Sequence, residues 1–372
     1  MRTRAFYVAV LGVICLFMLK SNSEIIHQQI SHKTSASSPE IVDLALIYHG
    51  GAQRVKWTSH SLKHYIYRET GNGTQWLYDG FLFLEFKADI NGQQVDFEYD
   101  GLRGGRAAIQ SDWIWLLDRT FAKGEGPHAV ESVLDSLAKK KKYPPFKRKA
   151  VFALPTPIFG QKNWGRLNGE ELHFEHVKDR AKAVIWYVDR VMEQWKKGKY
   201  KHLDFGGFYW THEAVLDKHA DRELLRLVKE YLTKINQPFS WIPYYGAENS
   251  PYWRDLGFDI AYQQPNYFFE EKTPMEILTG AIRFAQDNKL SLEMEYDDRI
   301  DQPAFAKKFY AYIEKFDEVK AWDRLPIAYY DGDGAWYHMA VSKSPELQKM
   351  SKFLGDIIVK RQLNYKNITN RW

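Results

Sequence analysis

The chain has 372 residues, of which 45% are hydrophobic and 16% aromatic, with a formal net charge of +5. That apolar content suits one full core, and the length suits a single α/β barrel, which often runs to roughly 250 residues or more. The basic surplus sits in Lys139, Lys140, Lys141 and Lys142 and in Lys196, Lys197, Lys199 and Lys201, at expected helix ends where cations complement the dipole; no basic stripe interleaved with stacking aromatics exists, so a nucleic-acid partner is not expected.

The N-terminus reads as an export signal. Arg2 and Arg4 precede an apolar run from Ala5 to Leu19, and Ser21-Asn22-Ser23 offers a small-x-small cleavage site. A membrane span needs roughly 20 residues, so the run is short for one. Residues 1–23 are expected to be a signal peptide and 24–40 a flexible, Ser-rich leader, which places the mature protein in the periplasm or outside the cell. An uncleaved N-terminal anchor is the alternative. The one cysteine, Cys15, lies inside the apolar run, so the mature chain would have no disulfide and no thiolate chemistry. No Cys/His metal cluster is present, and neither a metal nor a cofactor is expected.

From Ile41 onward β-rich apolar runs alternate with amphipathic helical runs, the pattern of parallel βα units. Strands are expected at Asp43–Tyr48, Trp76–Phe86, Ala150–Leu154, His202–Trp210, Phe239–Tyr245, Asp259–Gln263, Leu290–Tyr296 and Pro326–Tyr330. The connection after the second is the longest. Asn91-Gly92 marks a hairpin there, followed by helices around Ala107–Phe121 and Ala129–Lys140. Helical periodicity also covers Glu175–Tyr200, His219–Ile235, Pro274–Asn288, Gln302–Ala321 and Pro345–Gln362. Thr273 and Ser344 are placed to cap two of these. Eight such units close into a (β/α)8 TIM barrel over residues 41–372, a single domain. Gly50-Gly51 after the first strand is no dinucleotide fingerprint.

Active sites of such barrels lie at the C-terminal ends of the strands. The residues expected there are Tyr48 and His49; Trp210, His212 and Glu213; Tyr244 and Tyr245; Gln264, Asn266 and Tyr267; Glu293, Glu295 and Asp297; and Tyr330 and Asp331. Ends four and seven face each other across an eight-stranded ring and bring carboxylates. Two carboxylates across a cleft are what glycosidic cleavage needs. Alternation puts Glu293, Glu295 and Asp297 on one side of strand seven. Glu213 has two possible roles, cleft acid or cap of the next helix, with His212 as the competing cleft residue. Asp297 and Asp298 have the same choice. The aromatics, with 13 Trp, 23 Tyr and 22 Phe in the chain, suit a sugar platform.

Three stretches carry a family resemblance: Gly207-Phe208-Tyr209-Trp210-Thr211-His212-Glu213, Ala261 to Phe269, and Leu292-Glu293-Met294-Glu295-Tyr296-Asp297. Together they resemble a bacterial domain-of-unknown-function family, number 4855, over most of the mature chain. The arrangement is also similar to clan A glycoside hydrolases. That resemblance implies an acid/base at Glu213 and a nucleophile at Glu295; the strand itself sets Glu293 or Asp297 alongside Glu295. It departs at His212, where clan A has Asn. The expected function is an exported glycoside hydrolase acting on a polysaccharide or oligosaccharide. The alternatives are a non-catalytic carbohydrate-binding or surface-assembly protein, and a metal-assisted hydrolase using Glu293, Glu295, Asp297 and Asp331. Asn72-Gly73-Thr74 and Asn367-Ile368-Thr369 fit the glycosylation pattern.

Overall fold

Each strand sends alternate side chains to opposite faces, and the two faces carry different apolar sets. Leu44, Leu46, Tyr48, Leu82, Leu84, Val151, Ala153, Tyr209, Ile242, Tyr262 and Ala328 form an inner cluster. Ala45, Ile47, Phe81, Phe83, Phe152, Leu154, Phe208, Trp241, Leu292 and Met294 join an outer cluster beneath the helices. A sheet buried on both faces has no solvent side, and parallel strands that close on themselves satisfy it. The computed structural model describes residues 41–49, 54–98, 105–368 and 370–372. The expected signal peptide, the leader, Gly50-Gly51 and Thr369 lie outside them.

The strands are β1 (Asp43–Tyr48), β2 (Gly80–Leu84), β3 (Arg148–Leu154), β4 (Leu203–Trp210), β5 (Phe239–Trp241), β6 (Ile260–Gln263), β7 (Ser291–Glu295) and β8 (Ile327–Tyr330). All eight pair with their sequence neighbours, in parallel, and β8 returns to β1 to close the ring. This is a (β/α)8 barrel. Around it run α1 (Ser59–Ile66), α2 (Gln110–Thr120), α3 (Gly126–Lys139), α4 (Val177–Gly198), α5 (Asp221–Lys234), α6 (Met275–Asn288), α7 (Pro303–Glu318), α8 (Ala321–Arg324), α9 (Ala335–Val341) and α10 (Pro345–Leu363). Among the described residues no helix is long and apolar enough to cross a membrane.

Two strand expectations and one cap shift. Strand two is shorter than Trp76–Phe86, because Trp76 pairs with Tyr67 in an antiparallel hairpin of Tyr67–Thr70 and Gly73–Trp76. Strand five stops at Trp241 rather than Tyr245: Pro243 has no N–H to give to a ladder, and Tyr244 makes one isolated bridge to Gln264. The Asn91-Gly92 hairpin stands, with Lys87–Ile90 against Gln93–Asp96. The helices α1 and α9 have no counterpart in the sequence expectations. Ser344 occupies the N-cap of α10 without a side-chain bond, whereas Pro274, not Thr273, occupies that of α6.

One irregularity decides what faces the barrel interior. The β3–β4 register slips between Phe205 and Gly207, which is a β-bulge. Gly207 has φ +109, and a Cβ there would stand 2.5 Å from the Pro238 carbonyl oxygen. Only glycine fits. The extra residue flips the alternation, so Phe205 and Phe208 both lie in the outer cluster and Tyr209 turns inward.

The N-terminal end of the barrel is tied by buried charges. Asp43 receives Arg361 Nε at 2.6 Å, Tyr329 Oη at 2.7 Å and Gln362 Nε2 at 2.8 Å. Asp79 receives the backbone N–H groups of Val42 at 2.9 Å and Asp43 at 2.7 Å. Helix α10 is thereby fastened to β1 and to the entry of β2.

Candidate functional site

A cavity of ≈ 300 Å³ opens at the C-terminal mouth, lined by Leu46, Tyr48, Arg54, Phe86, Tyr209, Glu213, Ile242, Gln264, Asn266, Phe269, Glu293 and Tyr330. It is at the small end of the range for small-molecule sites, roughly 300–1,000 Å³. A wider groove of ≈ 760 Å³ lies on the outer flank, among Arg68, Gln75, Trp336 and Asp356 of the hairpin, α9 and α10. Its walls are surface ion pairs such as Arg68–Asp356. The mouth cavity is the better site because two glutamates meet in it.

Those glutamates come from strand ends four and seven. Glu213 lies three residues past β4, on the inward parity that the bulge sets. Glu293 stands in the middle of β7, beside Ala328 of β8. It is 2% exposed. Burial, with the nearby charges of Glu295 and Glu213, pushes its carboxyl well above the ordinary glutamate range. The cavity also carries an aromatic belt. Phe86 meets Tyr48 edge-on at 5.5 Å, Tyr48 meets Tyr330 at 5.7 Å, and Tyr330 meets Phe269 at 5.4 Å.

Arg54, Phe86 and Phe269 stand outside the expected site residues, and Tyr209 enters from the expected end of strand four. Arg54 Nε and Nη2 donate to Glu85 at 3.0 and 2.8 Å, Nη1 to Asp333, and the guanidinium lies 5.0 Å from the Tyr48 ring centroid. It ties together the loops after β1, β2 and β8. No periodicity marks a loop arginine, so sequence offered no signal for it. Tyr209 had one: the Gly206-Gly207 pair, a sign of a bulge.

Glu295 stands elsewhere. Its carboxylate accepts from the backbone N–H of Asn266 at 3.0 Å and of Tyr267 at 3.2 Å, and from the Tyr312 hydroxyl of α7. It is fully buried and does not line the cavity. Burial raises its pKa, and these donors oppose the rise. Asn266, at φ +57, turns the loop after β6 back over the carboxylate. Glu295 is a brace for that loop.

Of the other expected site residues, Tyr48, Gln264, Asn266 and Tyr330 line the cavity and the rest do not. His49 is buried, with Nε2 2.6 Å from Thr120 Oγ1, and its burial lowers its pKa. Trp210 and His212 point outward into a separate pocket of ≈ 210 Å³ beside Arg180 and Asp221. Tyr245 packs on Phe284 of α6. Tyr244 is half-buried at its bridge to Gln264. Tyr267 lies under Lys308 Nζ, 3.8 Å from its ring centroid. Asp297 caps the next turn and holds Arg299, at 3.0 Å to the backbone N and 2.6 Å to Nη2. Asp331 accepts from the Tyr65 hydroxyl and from Trp336 N at 3.2 Å, and burial raises its pKa to about 7. Among the described residues no group of three or more His, Cys, Asp or Glu could hold a metal ion.

The family model described as a domain of unknown function, DUF4855, matches residues 43–354. The chain belongs to that family. No curated protein matches it. Among solved structures, a Group IV chitinase from Ostrinia furnacalis is similar at 7% identity and a TM-score of 0.44, covering 84% of this chain and 100% of that chain. Concanavalin B is similar at 10% identity and a TM-score of 0.40, covering 84% and 98%. The barrel assignment of this DUF4855 chain rests on its own closed sheet, and these similarities add nothing to it.

Proposed function

We propose that this chain is an exported glycoside hydrolase, with Glu213 and Glu293 as its working carboxyls and a short segment of a polysaccharide or oligosaccharide as its substrate. The observation that carries the reading is that Glu213 of strand end four and Glu293 of β7 line one cavity at the mouth together with an aromatic belt. Each carboxyl disfavours ionisation of the other, so the pair tends to hold a single proton. One acid and one base is the state that glycosidic cleavage uses. Glu213, nearer solvent, gives its proton to the leaving oxygen. Glu293, deeper, attacks the anomeric carbon or activates water. The nucleophile role thus moves from Glu295 to Glu293. Tyr48 and Tyr330 present rings to the sugar, and Gln264 and Asn266 its hydroxyl partners. Export is supported by the charged, apolar and small-residue order of residues 1–23.

The test is a screen of defined glycans for new reducing ends, repeated with Glu213→Gln and Glu293→Gln. Each should lower kcat by about 10²–10⁴-fold, the usual share of acid–base catalysis. Full activity in either variant would remove that residue from the mechanism. Binding without release of product by the native protein would replace hydrolysis with sugar binding.

A further inference from the structure

In a barrel of parallel βα units each helix runs back along the strands, so its C-terminus lies at their N-terminal end, opposite the mouth. Two of those helix ends are crowded with lysine. Helix α3 runs out into Lys139, Lys140, Lys141 and Lys142, and α4 into Lys196, Lys197, Lys199 and Lys201. The fold sets the two groups side by side. Glu131 of α3 accepts from Lys201 N at 2.9 Å and from Leu203 N at 3.0 Å, and Asp135 of α3 lies 3.7 Å from His202 Nε2. The strands that these turns feed pair from Arg148 and Leu203 onward. Nearby carboxylates are already engaged: Asp135 with Lys139 at 2.6 Å, Glu69 with Lys142 at 2.7 Å and Asp204 with Lys147 at 2.8 Å. Lys140, Lys141, Lys196, Lys197, Lys199 and Lys201 are exposed and form no ion pair among the described residues.

The backbone adds a second observation. Lys141, Lys199, Lys289 and Lys320 have φ of +59, +51, +61 and +61 where the chain leaves α3, α4, α6 and α7. A left-handed residue at a helix exit is normally glycine or asparagine, and a side chain such as lysine is strained there. Asn236, at φ +54 after α5, shows the easier choice. The helix dipole favours a cation in the last turn, but it does not ask for one at the strained position. This end therefore carries positive charge even where the backbone disfavours the side chain. Tyr143, 62% exposed, follows the first lysine group and adds an amphipathic ring of the kind enriched at membrane interfaces.

We propose that this end of the barrel is an electrostatic docking face for an anionic phospholipid bilayer. Charge complementarity is the first reason: the exposed lysines meet a plane of phosphates. The form of the cations is the second. They are flexible ammonium charges spread over two helix ends and the turns beside them, with no arginine fork among the six to grip one defined anion. A plane of many headgroups suits such a spread, since each lysine near the surface adds its own attraction. The third reason is where the rest of the chain attaches. Strand β1 begins at Asp43 at this same end, so residues 1–40, with the apolar run Ala5 to Leu19, join the barrel here. Residues 20–40 separate that run from the barrel, at most roughly 3.6 Å for each residue. A bilayer that holds the run during export is therefore within reach of this face. Docked in this way, the barrel turns its mouth away from the bilayer.

The test is co-sedimentation of the full chain with vesicles of phosphatidylcholine alone and of phosphatidylcholine with phosphatidylglycerol. At about 0.15 M salt the protein should partition at least about tenfold better onto the anionic vesicles. It should lose that preference at about 1 M, as the Debye length falls from about 8 Å to about 3 Å. Lys140→Gln, Lys196→Gln, Lys197→Gln and Lys201→Gln combined should weaken the anionic partition by about 10²–10³-fold, at roughly fivefold for each lysine. The same loss of charge at the mouth, Lys123→Gln, Lys162→Gln, Lys218→Gln and Lys272→Gln, should weaken it by less than about threefold, because those lysines stand more than a Debye length from the bilayer. On the native chain, lysine acetylation with anionic vesicles present should spare the first four residues and modify the second four, which reads the docked face whether or not the variants fold. Equal losses in the two variants, equal acetylation at the two ends, equal partition onto neutral vesicles, or no partition onto anionic ones overturns the proposal. So does heparin, a soluble polyanion, binding at these lysines while anionic vesicles do not, since the occupant is then a polymer and not a bilayer.

Discussion

The two ends of the barrel bury the same kind of side chain and treat it in opposite ways. At the N-terminal end Asp43 is met by Arg361, Tyr329 and Gln362, and Asp79 by two backbone N–H groups and Gln362. At the C-terminal mouth Glu293 is 2% exposed, lines the cavity, and accepts no hydrogen bond from another described residue. Buried carboxylates are costly unless paired. A saturated one is part of the scaffold, and one that lines a cavity is open to water or to a ligand. Glu295, two residues from Glu293, follows the rule of the N-terminal end.

The comparison breaks most visibly at Arg361. Its guanidinium serves Asp43, the carbonyls of Val42 and Leu325 at 3.0 and 2.9 Å, and that of Trp322. Arg361→Met leaves Asp43 without its cation and should cost about 3–5 kcal/mol in denaturant unfolding, the usual result of stripping a buried pair. A loss under about 1 kcal/mol would mean that the network does not hold α10 in place.

Asp331 gives a smaller, pH-dependent effect. Burial lifts its pKa from 3.8 to about 7. The folded state therefore holds a proton that the unfolded state gives up. This contribution is complete below about pH 4 and is lost as pH rises through 7. Stability should accordingly fall by about 4 kcal/mol from Asp331 across that window. Asp331→Asn should flatten that part of the curve, and an unchanged slope in thermal melts would remove Asp331 as its source.

The adjacent glutamates give the finest contrast. Glu295→Gln puts an amide donor against two backbone N–H groups and the Tyr312 hydroxyl, and should cost about 1–3 kcal/mol. Glu293→Gln removes a carboxyl to which no described residue donates, and should change stability by less than about 1 kcal/mol, upward if at all. Equal losses in parallel melts would erase the distinction between brace and site.

Much of the fold was legible because strand and helix periods are local. The alternation in Asp43–Tyr48 and the 3.6-residue repeat in Val177–Gly198 are visible in any window of the sequence. The site was legible in part. Tyr48, Glu293 and Tyr330 lie within regular strands, where parity assigns a face. Parity also gave Glu295 to the interior, but its carboxylate is taken by the loop after β6 and by α7. Two tertiary facts override the pattern: a bulge that reverses the faces of β4, and a loop that folds back on a strand end.

The sequence by itself determined the barrel, because βα alternation is written into local hydrophobic periods, and it brought acidic residues to strand ends four and seven. Only the tertiary structure decided which of them works as a site. The decision is one of hydrogen-bond saturation, and saturation depends on groups such as Asn266, Tyr312 and Arg54 that approach from other elements and leave no mark in the local sequence.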